Sequence, residues 1–394
     1  MKINNNVILW GNFYSFIIMG MLTLFFGTSM NNIRLDYGLS FEQGGLILST
    51  FAAGSLTFSF LCGVLGDLLG MKKVLIFAHI CFLMGIFTIY LSTSSLLLYL
   101  GTFLIGAGLG AGSTSVNIVV NDFVHGDGKI MSLLHMCFGI GALLIPAISS
   151  KMLMWGFRWK SVLIIMAILE IIAIFITIKM EIPKNDKHPD DQRIITRKAF
   201  GNIRLYIFMA ILFFYVGAEN AFNGWVVTYL TEGVKLSEEF SQQMLSLFWV
   251  VMMFGRYLNS LISRKVLKET ILLVSSIGAA VMMLFFVTAS YQELIITIII
   301  VMGLMFSGVY PITVANANPI IRGSALSGAL LGSAGSLGSV FIPYVSGIAA
   351  EKTGVKGIMV TVFASLAIMS IFALINKKFQ LSSDTPSVAE EIIL

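Results

Sequence analysis

Glu219, Asn220, Asn223 and Trp225 follow one another closely inside an apolar run that extends from residue 203 to 231. A carboxylate in such surroundings is costly unless a proton, a cation or a partner neutralises it. Glu219 is therefore expected to carry ion coupling or substrate binding, with a buried structural hydrogen bond as the competing reading. The amides of Asn220 and Asn223 and the ring of Trp225 offer hydrogen bonds to hydroxyls and a flat apolar face, which is the chemistry a sugar uses. Each asparagine also fits a plain clamp between helices.

Other polar residues interrupt other apolar runs. Asn117 lies within the fourth, with Asp122 at its end and His135 early in the fifth. Asp122 suits helix termination or gating, and His135 suits a proton shuttle or a packing position. Both are alternative coupling candidates. Asn12 and Tyr14 in the first run, and Tyr310, Asn316 and Asn318 in the tenth, complete the candidate cavity residues. Arg256 sits inside the eighth run, where an arginine usually faces protein or a wet cavity, so it is read as a gate or anchor, or as a substrate contact. Glu170, in the sixth run, has no evident polar neighbour and is expected at a loosely packed edge; the sequence supplies no functional account of it.

The elements that must hold these residues are membrane helices. Of the 394 residues, 57% are hydrophobic and 11% charged, and the mean hydropathy is +0.91. A soluble core cannot hide so much apolar surface. The apolar residues fall in runs of about 20 or more, the length needed to cross about 30 Å of hydrocarbon. The runs predict twelve helices, at 7–30, 41–66, 72–92, 96–123, 129–152 and 159–180, then at 203–231, 238–262, 269–289, 293–318, 324–350 and 356–376. No cleavable signal segment is expected before the first. The fold class is an all-α membrane protein of two pseudo-symmetric six-helix halves, residues 1–180 and 203–376. A charged cytoplasmic linker, 181–202, joins the halves, and a cytoplasmic tail, 377–394, ends the chain.

Orientation follows from the 25 Lys and Arg residues, because positive loops stay cytoplasmic. Placing both termini inside puts seventeen of them, among them Lys72, Lys73, Lys187, Arg264, Lys265 and Arg322, on the cytoplasmic side. Seven, including Arg34 and Lys235, then lie outside. The halves also echo each other at an offset of 197 residues, as Pro146 does with Pro343 and Gly106 with Gly303. Such repeats place a solute site at the midplane between the halves.

The composition argues against other classes. The basic residues lack the interleaved aromatics of a nucleic-acid face. Cys62, Cys81 and Cys137 lack the spacing of a zinc site or disulfide framework, and His79, His125, His135 and His188 form no catalytic cluster. No metal site and no cofactor is expected beyond a coupling ion, H+ or Na+. An enzyme or a receptor is thus disfavoured. An exporter of amphipathic drugs or metabolites is the alternative within transport, since the 22 methionines and 31 phenylalanines suit an adaptable apolar cavity.

The loop Gly63-Val-Leu-Gly-Asp67-Leu-Leu-Gly70-Met-Lys72-Lys73 resembles the loop signature of the major facilitator superfamily, with Leu68 where the family usually has arginine. The resemblance implies a gate in which Asp67, Lys72 and Lys73 act with Arg256 and Arg264 of the second half. Further stretches are similar to the fucose-galactose-glucose:proton symporter branch and its sodium-dependent glucose transporter-like relatives. They are Phe103 to Gly110 with Asn117, Leu134 to Pro146, Gly217 to Tyr229 and Phe306 to Pro311. The acids that fucose permease-type members carry in the first and fourth helices are absent here; Ser113 occupies the fourth-helix place. The resemblance implies a monomer in a bacterial-type cytoplasmic membrane that takes up a sugar or similar small polar solute, coupled to an ion, by alternating access.

Overall fold

A backbone surrounded by hydrocarbon must satisfy its own hydrogen bonds, and the long apolar runs do so as helices. In a computed structural model, which describes residues 5–124, 128–182, 201–321 and 325–384, these are α1 (Asn5–Tyr37), α2 (Phe41–Leu69), α3 (Met71–Leu91), α4 (Ser95–Phe123), α5 (Gly128–Met154) and α6 (Lys160–Lys179). The second half holds α7 (Ile203–Thr228), α8 (Glu238–Ile262), α9 (Lys268–Thr288), α10 (Gln292–Ile321), α11 (Ala325–Thr353) and α12 (Lys356–Asp384). Among the described residues, twelve helices are long and apolar enough to cross a membrane. Most of the expected linker, residues 183–200, lies outside the described residues, as do His125, His188, Arg322 and the tail beyond 384.

Local chemistry sets the ends. Ser40 accepts from the Gln43 backbone while the Gln43 side chain returns to Ser40 N, a capping box that starts α2. Gly70, at φ 85°, makes the sharp turn from α2 into α3. A π-helical turn, Tyr229–Gly233, extends α7 and carries Glu232.

Packing repeats between the halves. In the first, α1 lies on α5, α2 and α3 on α4, and α3 on α6; in the second, α7 lies on α11, α8 and α9 on α10, and α9 on α12. The same glycines mediate it. A Cβ at Gly141 of α5 would collide with the Ile17 carbonyl of α1, and one at Gly338 of α11, 197 residues on, would collide with the Phe213 carbonyl of α7. Each half then lends two helices to the other, α2 packing on α11 and α5 on α8, while α1 touches α7.

The halves are sealed at the end that carries the α1–α2 and α7–α8 turns. There Arg34 Nη1 donates to Glu232 Oε1 at 2.8 Å, Asn32 Nδ2 to Glu238 Oε1 at 2.5 Å, and Tyr344 OH to Glu42 Oε1 at 2.9 Å. The opposite end carries the α2–α3 and α8–α9 turns. On α5, Gly139 is covered by Met253 of α8, whereas His135, one turn nearer that end on the same face, is exposed. The interface thus closes from the midplane to the α1–α2 end and parts toward the α2–α3 end.

Candidate functional site

Where α1, α2, α7 and α11 converge at the bottom of this seal, a narrow cavity of ≈ 20 Å³ is lined by Thr23, Phe26, Phe51, Asn220, Asn223 and Ser339 among others. Its volume suits about one water molecule, so the helices must part to admit a solute. The walls are held by close approach, since Gly27 of α1 lies directly under the Asn223 carbonyl of α7 and has no room for a Cβ.

The two amides are oriented but not used up. Asn220 Nδ2 donates to Val216 O at 2.9 Å and to Ser339 Oγ at 3.0 Å. Asn223 Oδ1 accepts from Trp249 Nε1 at 3.2 Å. No protein partner is found among the described residues for Asn220 Oδ1 or Asn223 Nδ2, which leaves one acceptor and one donor for a hydroxylated solute.

Glu219 lies one turn from Asn223 on α7 and one turn from Tyr215. The Tyr215 hydroxyl and the Arg256 guanidinium of α8 both lie close enough to act on its carboxylate. Tyr215 OH also reaches Phe306 O of α10 at 2.9 Å, and Tyr310, one turn along α10, feels the same two charges. His135 of α5 also feels the Arg256 charge and packs against the Phe16 ring at 5.7 Å. Glu219 and Arg256 thus form an oppositely charged pair near Tyr310 and His135.

Other expected site residues stand apart. Trp225 is fully buried, its ring 6.0 Å from Phe41 and its indole nitrogen unpartnered, so in this conformation it belongs to the seal and not to the cavity. Asn12 donates to Ile8 O of its own helix at 2.7 Å, and Tyr14 donates to Leu169 O of α6 at 3.1 Å. Asn117 donates to Ser113 O of its own helix at 2.8 Å, and Asn316 is buried in α10. Asp122 occupies the last turn of α4. Asp67, Lys73 and Arg264 are exposed at the open end, while Lys72 Nζ caps α6 by donating to Ile178 O at 2.7 Å.

Glu170 overturns its expectation. It is completely buried, and its Oε2 lies 2.8 Å from His79 Nδ1 of α3, a partner 91 positions away in sequence. Sequence reasoning also missed Thr23, Trp249, Ser339 and the Arg34–Glu232 bridge. The 197-residue repeat could have found Thr23, because it is the repeat mate of Asn220. Among the described residues no three His, Cys, Asp or Glu side chains are grouped to hold a metal ion.

Twelve membrane helices in two repeated halves, parted at one end and meeting over a polar midplane site, define a membrane transporter and not an enzyme. The chain belongs to the Major Facilitator Superfamily, whose pattern matches residues 8–327. Similar curated proteins include the Protein TsgA homolog of Buchnera aphidicola subsp. Schizaphis graminum, 25% identical over 80% of this chain and 82% of that one. The Protein TsgA homolog of Yersinia enterocolitica is 22% identical over 92% of this chain and 95% of its own. Among solved structures, a point mutant of the nucleoside transporter NupG matches with a TM-score of 0.78 at 17% identity, over 93% of this chain and 98% of that one. A D-xylose-proton symporter matches with a TM-score of 0.75 at 15% identity, over 92% of this chain and 96% of that one. At these identities the solved structures establish the fold.

Proposed function

We propose that this protein takes up a sugar or a similar small polyhydroxylated solute by alternating access, driven by a proton or sodium gradient. The observation that carries the reading is the pair of half-satisfied amides, Asn220 and Asn223, at the bottom of the inter-half seal. A neutral donor and acceptor beside the Phe26 and Phe51 rings suit hydroxyls and a sugar face. Glu219, beside Tyr215 and Arg256, is the group best set to exchange an ion, because it is the carboxylate next to Asn220 and one turn from Asn223 on α7. The positive-residue bias puts the α2–α3 end and both termini in the cytoplasm of a bacterial-type membrane, so the conformation described is closed outside and open inside. The names of the solved relatives, a nucleoside transporter and a D-xylose-proton symporter, support a hydroxylated solute and a proton.

Asp67, Lys72, Lys73 and Arg264 lie at the parted end, where they would act when that end closes. Uptake of labelled monosaccharides and nucleosides into proteoliposomes, with proton and sodium gradients imposed separately, tests the proposal. Accumulation of one such solute under one of the gradients is expected. Downhill or uphill movement restricted to apolar cations, with none of these solutes moved, would overturn it in favour of drug export.

A further inference from the structure

The Glu170–His79 pair lies outside the cleft, in the wall of the first half, and the solute site does not use it. Glu170, His79 and Ser15 are all essentially inaccessible to solvent. Glu170 Oε2 lies 2.8 Å from His79 Nδ1, and His79 Nε2 lies 3.2 Å from Ser15 Oγ. Three helices, α6, α3 and α1, are joined by this chain of contacts. Glu170 Oε1 is buried and has no partner, an unusual state for a carboxyl oxygen away from water.

The network ties the proton count to the direction of one hydrogen bond. Ser15 Oγ lies 3.0 Å from Gly11 O, which can only accept, and Ser15 has one hydrogen. With that hydrogen on Gly11 O, His79 Nε2 must itself be a donor to Ser15. The pair then holds a carboxylate beside an imidazolium, or a carboxylic acid beside a neutral ring; moving a proton between Glu170 and His79 leaves the total unchanged. Either way the pair is neutral, which its apolar surroundings favour. Loss of one proton to water leaves a carboxylate and a neutral imidazole, net charge −1, with Nε2 now an acceptor. The Ser15 hydrogen must then turn from Gly11 O to the ring. One proton and one hydrogen bond of α1 therefore change together.

Few other groups compete for this proton. From α1 the titratable neighbour is Tyr14, whose hydroxyl is spent on Leu169 O. From α4, which packs along α3, no acid or base occurs between Tyr99 and Asp122. On α3 the thiol Cys81 is the nearest other ionisable group in sequence, and α5 presents His135 to Phe16 on α1. On α6 the next charges are Lys160 and Lys179 at its two ends.

The helix that senses the pair also builds the solute site. Ser15 and Thr23 are eight residues apart on α1, about two turns. Beyond Thr23, Gly27 meets Asn223 of α7.

We propose that Ser15, His79 and Glu170 form a second proton-binding site, loaded with one proton in the closed-outside conformation and emptied in the opposite one, with the Ser15 hydrogen turning on α1. The inference rests on alternating access but not on the identity of the solute.

The test uses the full-length protein in lipid nanodiscs with no solute present. Nitroxide labels at Leu96 and Tyr291, both exposed at the α1–α2 end of opposite halves, report the separation of the halves by electron–electron dipolar spectroscopy across pH. We expect a pH-dependent shift between two distances in the otherwise unaltered protein. One titration step should vanish in Glu170→Gln and persist in Cys81→Ser, a change at the nearest other ionisable group on α3. Ser15→Ala removes no ionisable group and should move the midpoint by about one pH unit, a tenfold change in proton concentration. A wild-type pH response in monodisperse Glu170→Gln protein overturns the proposal, as does a response lost only in Glu219→Gln. If Glu170→Gln does not assemble, Ser15→Ala and His79→Gln decide, and an unmoved midpoint in both overturns it. Because no solute is used, failure here leaves the sugar reading standing, and absence of sugar uptake leaves this one standing.

Discussion

Arg34 of α1 and Glu232 of the π-helical turn after α7 meet at 2.8 Å across the boundary between the halves, and the same guanidinium lies 3.5 Å from the centroid of the Phe41 ring. The Arg34 side chain is largely buried and its Nε has no partner, so its charge depends on Glu232. A partly exposed ion pair contributes on the order of 1 kcal/mol, about a fivefold change in a two-state equilibrium. Glu232→Gln should therefore favour the state open at this end by about that factor. Alkylation of a cysteine placed at Thr28, fully buried beneath the bridge, should speed up several-fold in the variant. An unchanged rate means the seal is held by Asn32–Glu238 and the α2–α11 contact without help from this pair.

The amide pair makes a sharper claim about the solute. Asn220→Ala removes one acceptor and releases Ser339, and Asn223→Ala removes one donor and releases Trp249. Each should raise KM about tenfold, the effect of losing one hydrogen bond of ~1.4 kcal/mol, with smaller changes in maximal rate. Trp225→Phe should change KM little, since that ring packs in the seal. Transport kinetics of the three variants check this; a larger KM change in Trp225→Phe than in either asparagine variant would reverse the assignment.

What the sequence revealed and what it hid have physical causes. Each crossing needs about 20 apolar residues whatever its neighbours, so the helices were legible one by one. Their ends were not. The first helix continues to Tyr37, past the expected 30, because Asn32, Arg34 and Asp36 find protein partners in Glu238, Glu232 and Trp159. Glu219, Asn220 and Asn223 were visible as polar residues in hydrocarbon. Trp225 stands apart from the cavity in this conformation because two residues turn a helix by about 200°, which points it away from Asn223. Glu170 and His79 could not be paired, since run lengths say nothing of α3 lying on α6.

Orientation is tested by labelling. Lys265, in the α8–α9 turn, and Lys235, after the π-helical turn, are both exposed at opposite ends of the bundle. Cysteine at Lys265 should react with an impermeant reagent only from the cytoplasmic side, and cysteine at Lys235 only from outside, as the positive-residue bias requires. Labelling of both from one side would contradict the two-ended topology.

Asp67 addresses the state not captured in this conformation. It is exposed at the end of α2, where the halves are parted. A residue that makes its contacts only when that end closes should alter the equilibrium between states without touching solute. Asp67→Asn should thus slow net transport by tenfold or more, an order of magnitude typical of a state-coupling term of about 1.4 kcal/mol, with solute affinity nearly unchanged. Binding lost while state exchange stays normal would place Asp67 in the solute site instead.

Glu219 separates coupling from packing most directly. Its carboxylate lies beside the Tyr215 hydroxyl and attracts Arg256, so removing the whole side chain would disturb both neighbours. Glutamine keeps the length and an acceptor oxygen for Tyr215, yet it cannot bind or release a proton or hold a cation. Glu219→Gln leaves Arg256 without its opposing charge, a cost that falls on stability and not on solute contacts, because Asn220 and Asn223 keep their own partners. Accumulation against a gradient should be abolished in this variant, while exchange of solute across the membrane continues at a reduced rate. The measurement is paired uptake and counterflow in proteoliposomes, with proton and sodium gradients applied in turn. Counterflow lost together with accumulation would mean that Glu219 binds the solute itself. Wild-type accumulation with unchanged ion dependence would mean that coupling resides elsewhere, with Asp122, His135 and the buried Glu170–His79 pair as the next groups to test.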